Sequence, residues 1–231
     1  MQREVTDVVA ELARPASGTS YALSRSLVTL SEPREGPAEA IRALRTHVMA
    51  QHVDEGRRAL AICAATPEVG CTYIASNLAV SLAQIGVKVL LIDGNLRQPG
   101  VEPLMRPQAE TAGLQQCLST DDPNFAGYIE ADVLPSLSVM YAGGTPTNPQ
   151  ELLSRERFEA LMNFCLRDFE LTIVDTPPAS QCSDAQRVST VLGYSMVVAR
   201  RNRSRIDDLK ALIGQLQGGR ARVIGTVLNE F

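Results

Sequence analysis

The chain of 231 residues contains no uninterrupted apolar run approaching the roughly 20 residues that a spanning helix needs, which argues against a helical membrane protein. Any membrane role is therefore expected to run through a partner. The first residues carry Glu4, Asp7 and Glu11 and lack an apolar core, so they do not read as a secretory leader. Cysteines number five, an odd count with no CxxC pair, which points to reduced thiols in the cytosol and away from a disulfide framework. Histidine is scarce as well: His47 and His52 have no cysteine nearby, which argues against zinc. A basic excess is also missing. The net charge of −4 argues against a nucleic-acid partner, and none is expected.

What is present suits a globular core, with 45% hydrophobic and 21% charged residues, and the length favours one domain. Residues 1–35 are rich in Ser, Arg, Pro and Glu and read as a flexible N-terminal arm, with one short helix expected at 4–13. From Ala38 the pattern changes: "AEAIRALRTHVMAQHV" sets Ile41, Leu44, Val48 and Met49 at helical spacing. Short apolar runs then alternate with helical stretches. Strands are expected at 59–64, 87–93, 137–142, 171–175, 194–200 and 223–229, and helices near 71–85, 149–167, 183–192 and 204–217. Strands that are apolar throughout are buried on both faces, as in a parallel sheet covered by helices. The expected fold is therefore α/β: one doubly wound, mainly parallel sheet with helices on both faces, over 36–231. In such sheets ligands sit beyond the carboxyl ends of the strands.

Three loops at that edge carry the chemistry. After the first strand, "AATPEVGCTY" keeps Gly70, Thr72 and a helix start, the parts of a phosphate loop in which backbone N–H groups hold phosphate and a hydroxyl meets Mg²⁺. Lysine is absent, with Cys71 in its place, and a tight turn without ligand is the rival reading. "LLIDGNLRQP" puts Asp93 at the end of the second strand, and "LTIVDTPP" puts Asp175 at the same edge. Two carboxylates beside a Gly-x-Thr turn favour a Mg·nucleotide site over either loop alone.

Together these motifs resemble the cytoplasmic domain of bacterial tyrosine kinases, the BY-kinases of polysaccharide co-polymerase systems, over roughly 36–231. "EAIRALR" fits the family's ExxRxxR helix, and "ATPEVGCT" sits at its Walker A. "LLIDGNLRQP" sits at its Walker A′, and "TIVDTPP" followed by "SDA" at its Walker B region. "GGTPTNPQELLSRERF" matches its G-x-x-P-x-N-P-x-E-L-L-S stretch. The resemblance implies a P-loop NTPase-like fold. It assigns Thr72, Asp93 and Asp175 to Mg²⁺ and the reacting oxygens, Gly70, Cys71, Thr72 and Tyr73 to the phosphate loop, and Asn229 to adenine. It also implies a ring oligomer through Glu39, Arg42 and Arg45, for which a solvated ion-pair face is the rival reading. Asn148, Pro149 and Glu151 read instead as a helix-capping box.

The departures fall on catalysis. Lysine gives way to Cys71 and the second A′ aspartate to Asn95, and the tyrosines Tyr21, Tyr73, Tyr128, Tyr141 and Tyr194 form no cluster. Positioned cations carry much of phosphoryl transfer, and losing one donor costs roughly 10²–10³ in rate. No lysine lies in 64–70, and the arginines of "ARRNRSR" (Arg200, Arg201, Arg203, Arg205) are either a solvated loop or a substitute charge. Cys71 lacks a His partner and does not read as a nucleophile. The expectation is a catalytically degenerate member. It would bind Mg·ATP or Mg·ADP weakly or not at all, and would serve a separate membrane co-polymerase chain from the cytoplasmic side, in capsule, exopolysaccharide or holdfast production. The alternatives are an active ATPase or tyrosine kinase and a ParA/MinD-like positioning factor.

Overall fold

The computed structural model describes residues 21–230; the helix expected at 4–13 lies outside them. The chain runs β1 (Tyr21–Leu23), α1 (Val28–Ser31), α2 (Gly36–Val48), β2 (Ala59–Ala64), α3 (Cys71–Ala83), β3 (Val89–Asp93), β4 (Met105–Pro107), α4 (Leu114–Ser119), β5 (Glu130–Leu134) and β6 (Leu137–Met140). It continues through α5 (Pro149–Ser154), α6 (Glu156–Asp168), β7 (Leu171–Asp175), α7 (Asp184–Leu192), β8 (Tyr194–Arg200), α8 (Ile206–Gly218) and β9 (Arg222–Asn229). Seven strands form one sheet in the order β5-β6-β3-β7-β2-β8-β9, parallel except for β5.

Alternation along each central strand feeds two cores. Leu60, Ile62, Val89 and Leu91 face α1, α2 and α3. Ala61, Cys63, Leu90 and Ile92 face α4 to α8. Both faces are covered, so the central strands are mostly apolar, with Ser138, Thr172 and Ser195 as buried exceptions, and the runs are legible in the sequence. β2, β7 and β8 span the residues expected of them.

The arm expected over 1–35 is cut short. From Tyr21 on, the chain is part of the domain: β1 pairs with β4, and Leu23, Leu27 and Val28 are buried. Asn77, buried on α3, holds this segment by accepting from the Val28 N–H at 2.9 Å and donating to the Ser26 carbonyl at 2.9 Å. Three apolar residues are too few to show a period, so only tertiary contact reveals them. The helix expected at 149–167 is two helices, broken at Arg155, whose backbone is extended and whose guanidinium donates to the Leu118 carbonyl. Pro149 opens α5, but the capping box does not form. Asn148 presents its amide nitrogen to the Glu151 carboxylate at 3.0 Å and caps no backbone N–H.

Candidate functional site

β2 delivers the chain to the loop 65–70 at the carboxyl edge of the sheet, and α3 leaves from it. Gly70 caps α3 with φ +91°, a conformation that glycine adopts without penalty. A Cβ there would also lie 2.3 Å from Asn229 Nδ2, so the position is closed to side chains twice over. Asn229 Nδ2 donates to the Val69 carbonyl at 2.9 Å. The end of β9 therefore braces the loop from beneath. Above it lies a cavity of about 430 Å³ whose wall includes Thr66, Gly70, Thr72, Tyr73, Asn95 and Gly100.

Cys71 opens α3, half-buried at the cavity wall. Its thiol turns inward and donates to the Ile62 carbonyl at 3.2 Å. Burial pushes the thiol well above its usual range, and the neighbouring Asp175 carboxylate adds to the rise, which favours the neutral form.

Asp93 and Asp175 are opposite one another across the parallel β3–β7 pair. Their surroundings differ. The Asp93 carboxylate accepts the backbone N–H of Asn95 at 3.2 Å and those of Gly100 and Val101 at 2.9 Å each. Desolvation raises its carboxyl to about 6 against the pull of those three donors. Its visible work is to shape the turn 94–101, which carries Asn95, Gln98 and Gly100 to the cavity wall. Asp175 accepts the Thr72 hydroxyl on Oδ2, while its buried Oδ1 has no hydrogen-bond partner. Desolvation raises it to about 7, and the Asp93 charge adds to the rise. An orphaned buried carboxylate oxygen behind a threonine on the cavity wall is a fit for a hydrated divalent cation, and the α3 N-terminus fits phosphate. Among the described residues no cluster of three or more His, Cys, Asp or Glu makes a self-sufficient metal site. A cation here would depend on the phosphates it accompanies.

No model of a known protein family matches the chain. Individual proteins do. CapB of Staphylococcus aureus, a candidate tyrosine-protein kinase, is 27% identical over 200 residues, 87% of either chain. The tyrosine-protein kinase Etk of Escherichia coli K12 is 32% identical over 202 residues, 87% of this chain and 28% of Etk. The chain thus spans little more than a quarter of that relative's length. The solved kinase domain of Etk superposes with a TM-score of 0.79 at 31% identity, covering 88% of this chain and 79% of that one. The chain belongs to the bacterial tyrosine kinases. The chimeric protein CapA2B2 gives a TM-score of 0.82 at 28% identity over 90% of this chain and 91% of that one. The cell-division ATPase MinD of Pyrococcus furiosus, at 0.64 and 20% identity over 76% of this chain and 73% of that one, shares the P-loop NTPase-like fold alone.

Within this BY-kinase domain the expected site residues separate. Gly70, Cys71, Thr72 and Tyr73 meet at the cavity, with Asp175 behind Thr72; Asn95, at a departure from the family's pattern, lines it too. Asn229 lies against the phosphate loop, where its amide donates to the Val69 carbonyl. On α2, Glu39 and Arg42 pair at 2.8 Å on the outer surface. Arg45 leaves that face and donates to the Ser81 carbonyl and hydroxyl of α3 at 3.2 and 3.3 Å. Two contacts escaped the sequence reading. Arg97 forks onto the buried Asp184 at 2.8 and 3.3 Å, tying the turn after β3 to the start of α7. Their signal was present in "LRQP" and "SDA", but it takes the fold to join them. Glu68 is gripped by Arg200 from the end of β8 and by Arg203 from the loop that follows it.

Proposed function

We propose that this BY-kinase domain is catalytically degenerate: a nucleotide-responsive partner of a separate membrane polysaccharide co-polymerase, acting from the cytoplasmic face in capsule, exopolysaccharide or holdfast production. The observation that carries the reading is the cavity wall. None of the residues that line it is Lys or Arg, and the Walker A lysine position holds the half-buried Cys71, an uncharged thiol whose sulfur is hydrogen-bonded to the Ile62 carbonyl. Phosphoryl transfer needs positive charge on the transferring group, so a site with a phosphate loop and no wall cation favours binding over turnover.

Bound Mg²⁺ would neutralise charge between the terminal phosphates. Thr72 and Asp175 would hold it, the amides at the α3 N-terminus would take the phosphates, and Gly70 would let the backbone approach them. The Glu39–Arg42 pair on α2 is the proposed contact between copies. Among the described residues no helix is long and apolar enough to cross a membrane, which fits attachment through the co-polymerase.

Replacing Cys71 by Lys is the direct test, read as Mg·ATP turnover and phosphotyrosine formation. The expected result is little turnover for the unmodified protein and a gain of about 10²-fold or more for C71K. Turnover by the unmodified protein at kinase-like rates, abolished in Asp175→Ala, would replace this reading with the second one: an active kinase or ATPase, which the intact Thr72–Asp175 pair and the kinase relatives favour.

A further inference from the structure

The cavity wall lacks a cation, but its rim does not. Glu68 stands in the phosphate loop with φ +59°, lines the cavity, and is held twice, from the end of β8 and from the loop that follows it. The Arg200 guanidinium donates to its carbonyl at 3.0 Å, and the Arg203 guanidinium pairs with its carboxylate. The two arginines are not equivalent. Arg200 ends a buried strand and grips backbone, so it fixes the shape of the loop. Arg203 and Glu68 are 49% and 69% exposed, so their side chains meet in water, where an ion pair shifts an equilibrium by no more than about fivefold. A guanidinium offers phosphate two parallel charge-assisted hydrogen bonds, which is the stronger engagement. Phosphate in the cavity therefore competes well with Glu68 for Arg203. Releasing Glu68 need not unfold the loop, because Asn229 still holds the Val69 carbonyl and Arg200 the Glu68 carbonyl.

We propose that Arg203 is the phosphate-binding cation of this site, passing from Glu68 to the terminal phosphate of a bound Mg·nucleotide in place of the lysine absent at Cys71. The proposal rests only on the nucleotide-binding part of the reading above, not on the lack of turnover: a guanidinium delivered from the rim serves a binding site and an active one alike. It also gives Glu68 a role, as an internal competitor that keeps the empty site neutral at its rim.

The exchange moves the two partners in opposite directions, which a simple brace does not. Isothermal titration with Mg·ADP and Mg·ATP is expected to show binding weakened about tenfold or more by Arg203→Ala. Glu68→Gln, which frees the arginine, is expected to tighten binding about two- to fivefold. Arg203→Lys should keep part of the affinity, and Arg205→Ala, in the same exposed loop, should change it little. Thermal melting of each variant checks that the fold is retained. If Arg203→Ala and Glu68→Gln weaken binding alike, the pair is only a brace and the proposal is overturned. Unchanged affinity in Arg203→Ala overturns it as well. No binding by the unmodified protein overturns the nucleotide reading beneath it, a different result from either.

Discussion

Asp175 sits at the end of a strand buried on both faces, where desolvation brings its carboxyl to about 7 and the Asp93 carboxylate contributes to the rise. In the unfolded chain it would titrate near the ordinary value of about 4. Between those pH values the unfolded state holds the charge and the folded state resists it. The site is thus least costly to stability in acid, and the penalty is complete once the pH has risen past about 7. Asp175→Asn keeps an acceptor for Thr72 and removes the charge. We expect it to raise the melting temperature by about 2–6 °C at pH 8, with the gain shrinking towards pH 4. A lower melting temperature at pH 8 would mean that the carboxylate has a partner in solution. A group held against its own charge in this way fits a site awaiting a cation. Of the residues at this site, Thr72 and Asp175 were legible as motif positions. Asp93 was legible in the same way, but its hydrogen bonds to the amides of Gly100 and Val101 were not, because they depend on where the chain returns after a turn of seven residues.

The phosphate loop is an element without regular structure of its own, set by what lies below it. Val69 and Gly70 touch Asn229, and Glu68 touches Arg200 and Arg203. Gly70→Ala places a Cβ where the Asn229 amide sits and holds a non-glycine residue at φ +91°. The expected cost is about 1–3 kcal/mol, read as a lower melting temperature together with weakened nucleotide binding. A neutral effect on both would show that the loop relaxes away from β9. The helices teach a related lesson. α3 is buried from Ile74 to Ala83 and was read correctly from its apolar run. The break between α5 and α6 went unseen, since no Gly or Pro marks it and Arg155 leaves the helix to reach Leu118.

In the whole molecule, α2 divides its motif between two surfaces. Glu39 and Arg42 face outward, while Arg45 is turned onto α3. If copies assemble through the outer pair, Arg42→Glu should shift a multimer to monomer in sedimentation velocity with the melting temperature unchanged. Arg45→Ala should do the reverse, lowering the melting temperature and sparing the assembly. Dissociation by Arg45→Ala alone would place the contact on the other surface.

The sequence by itself determined the sheet and its edge. Strands buried on both faces are mostly apolar, so their runs show in the chain, and charged residues at their ends mark where ligands can sit. Tertiary structure alone decided what each polar residue at that edge does. Asn229 braces Val69 from 160 residues away, Arg45 serves α3, Arg203 meets Glu68, and residues 21–30 pack onto the core. Most buried polar groups find a partner, and which one is set by the elements packed beside them, not by their neighbours in the chain; Asp175 Oδ1 is left over at the site itself.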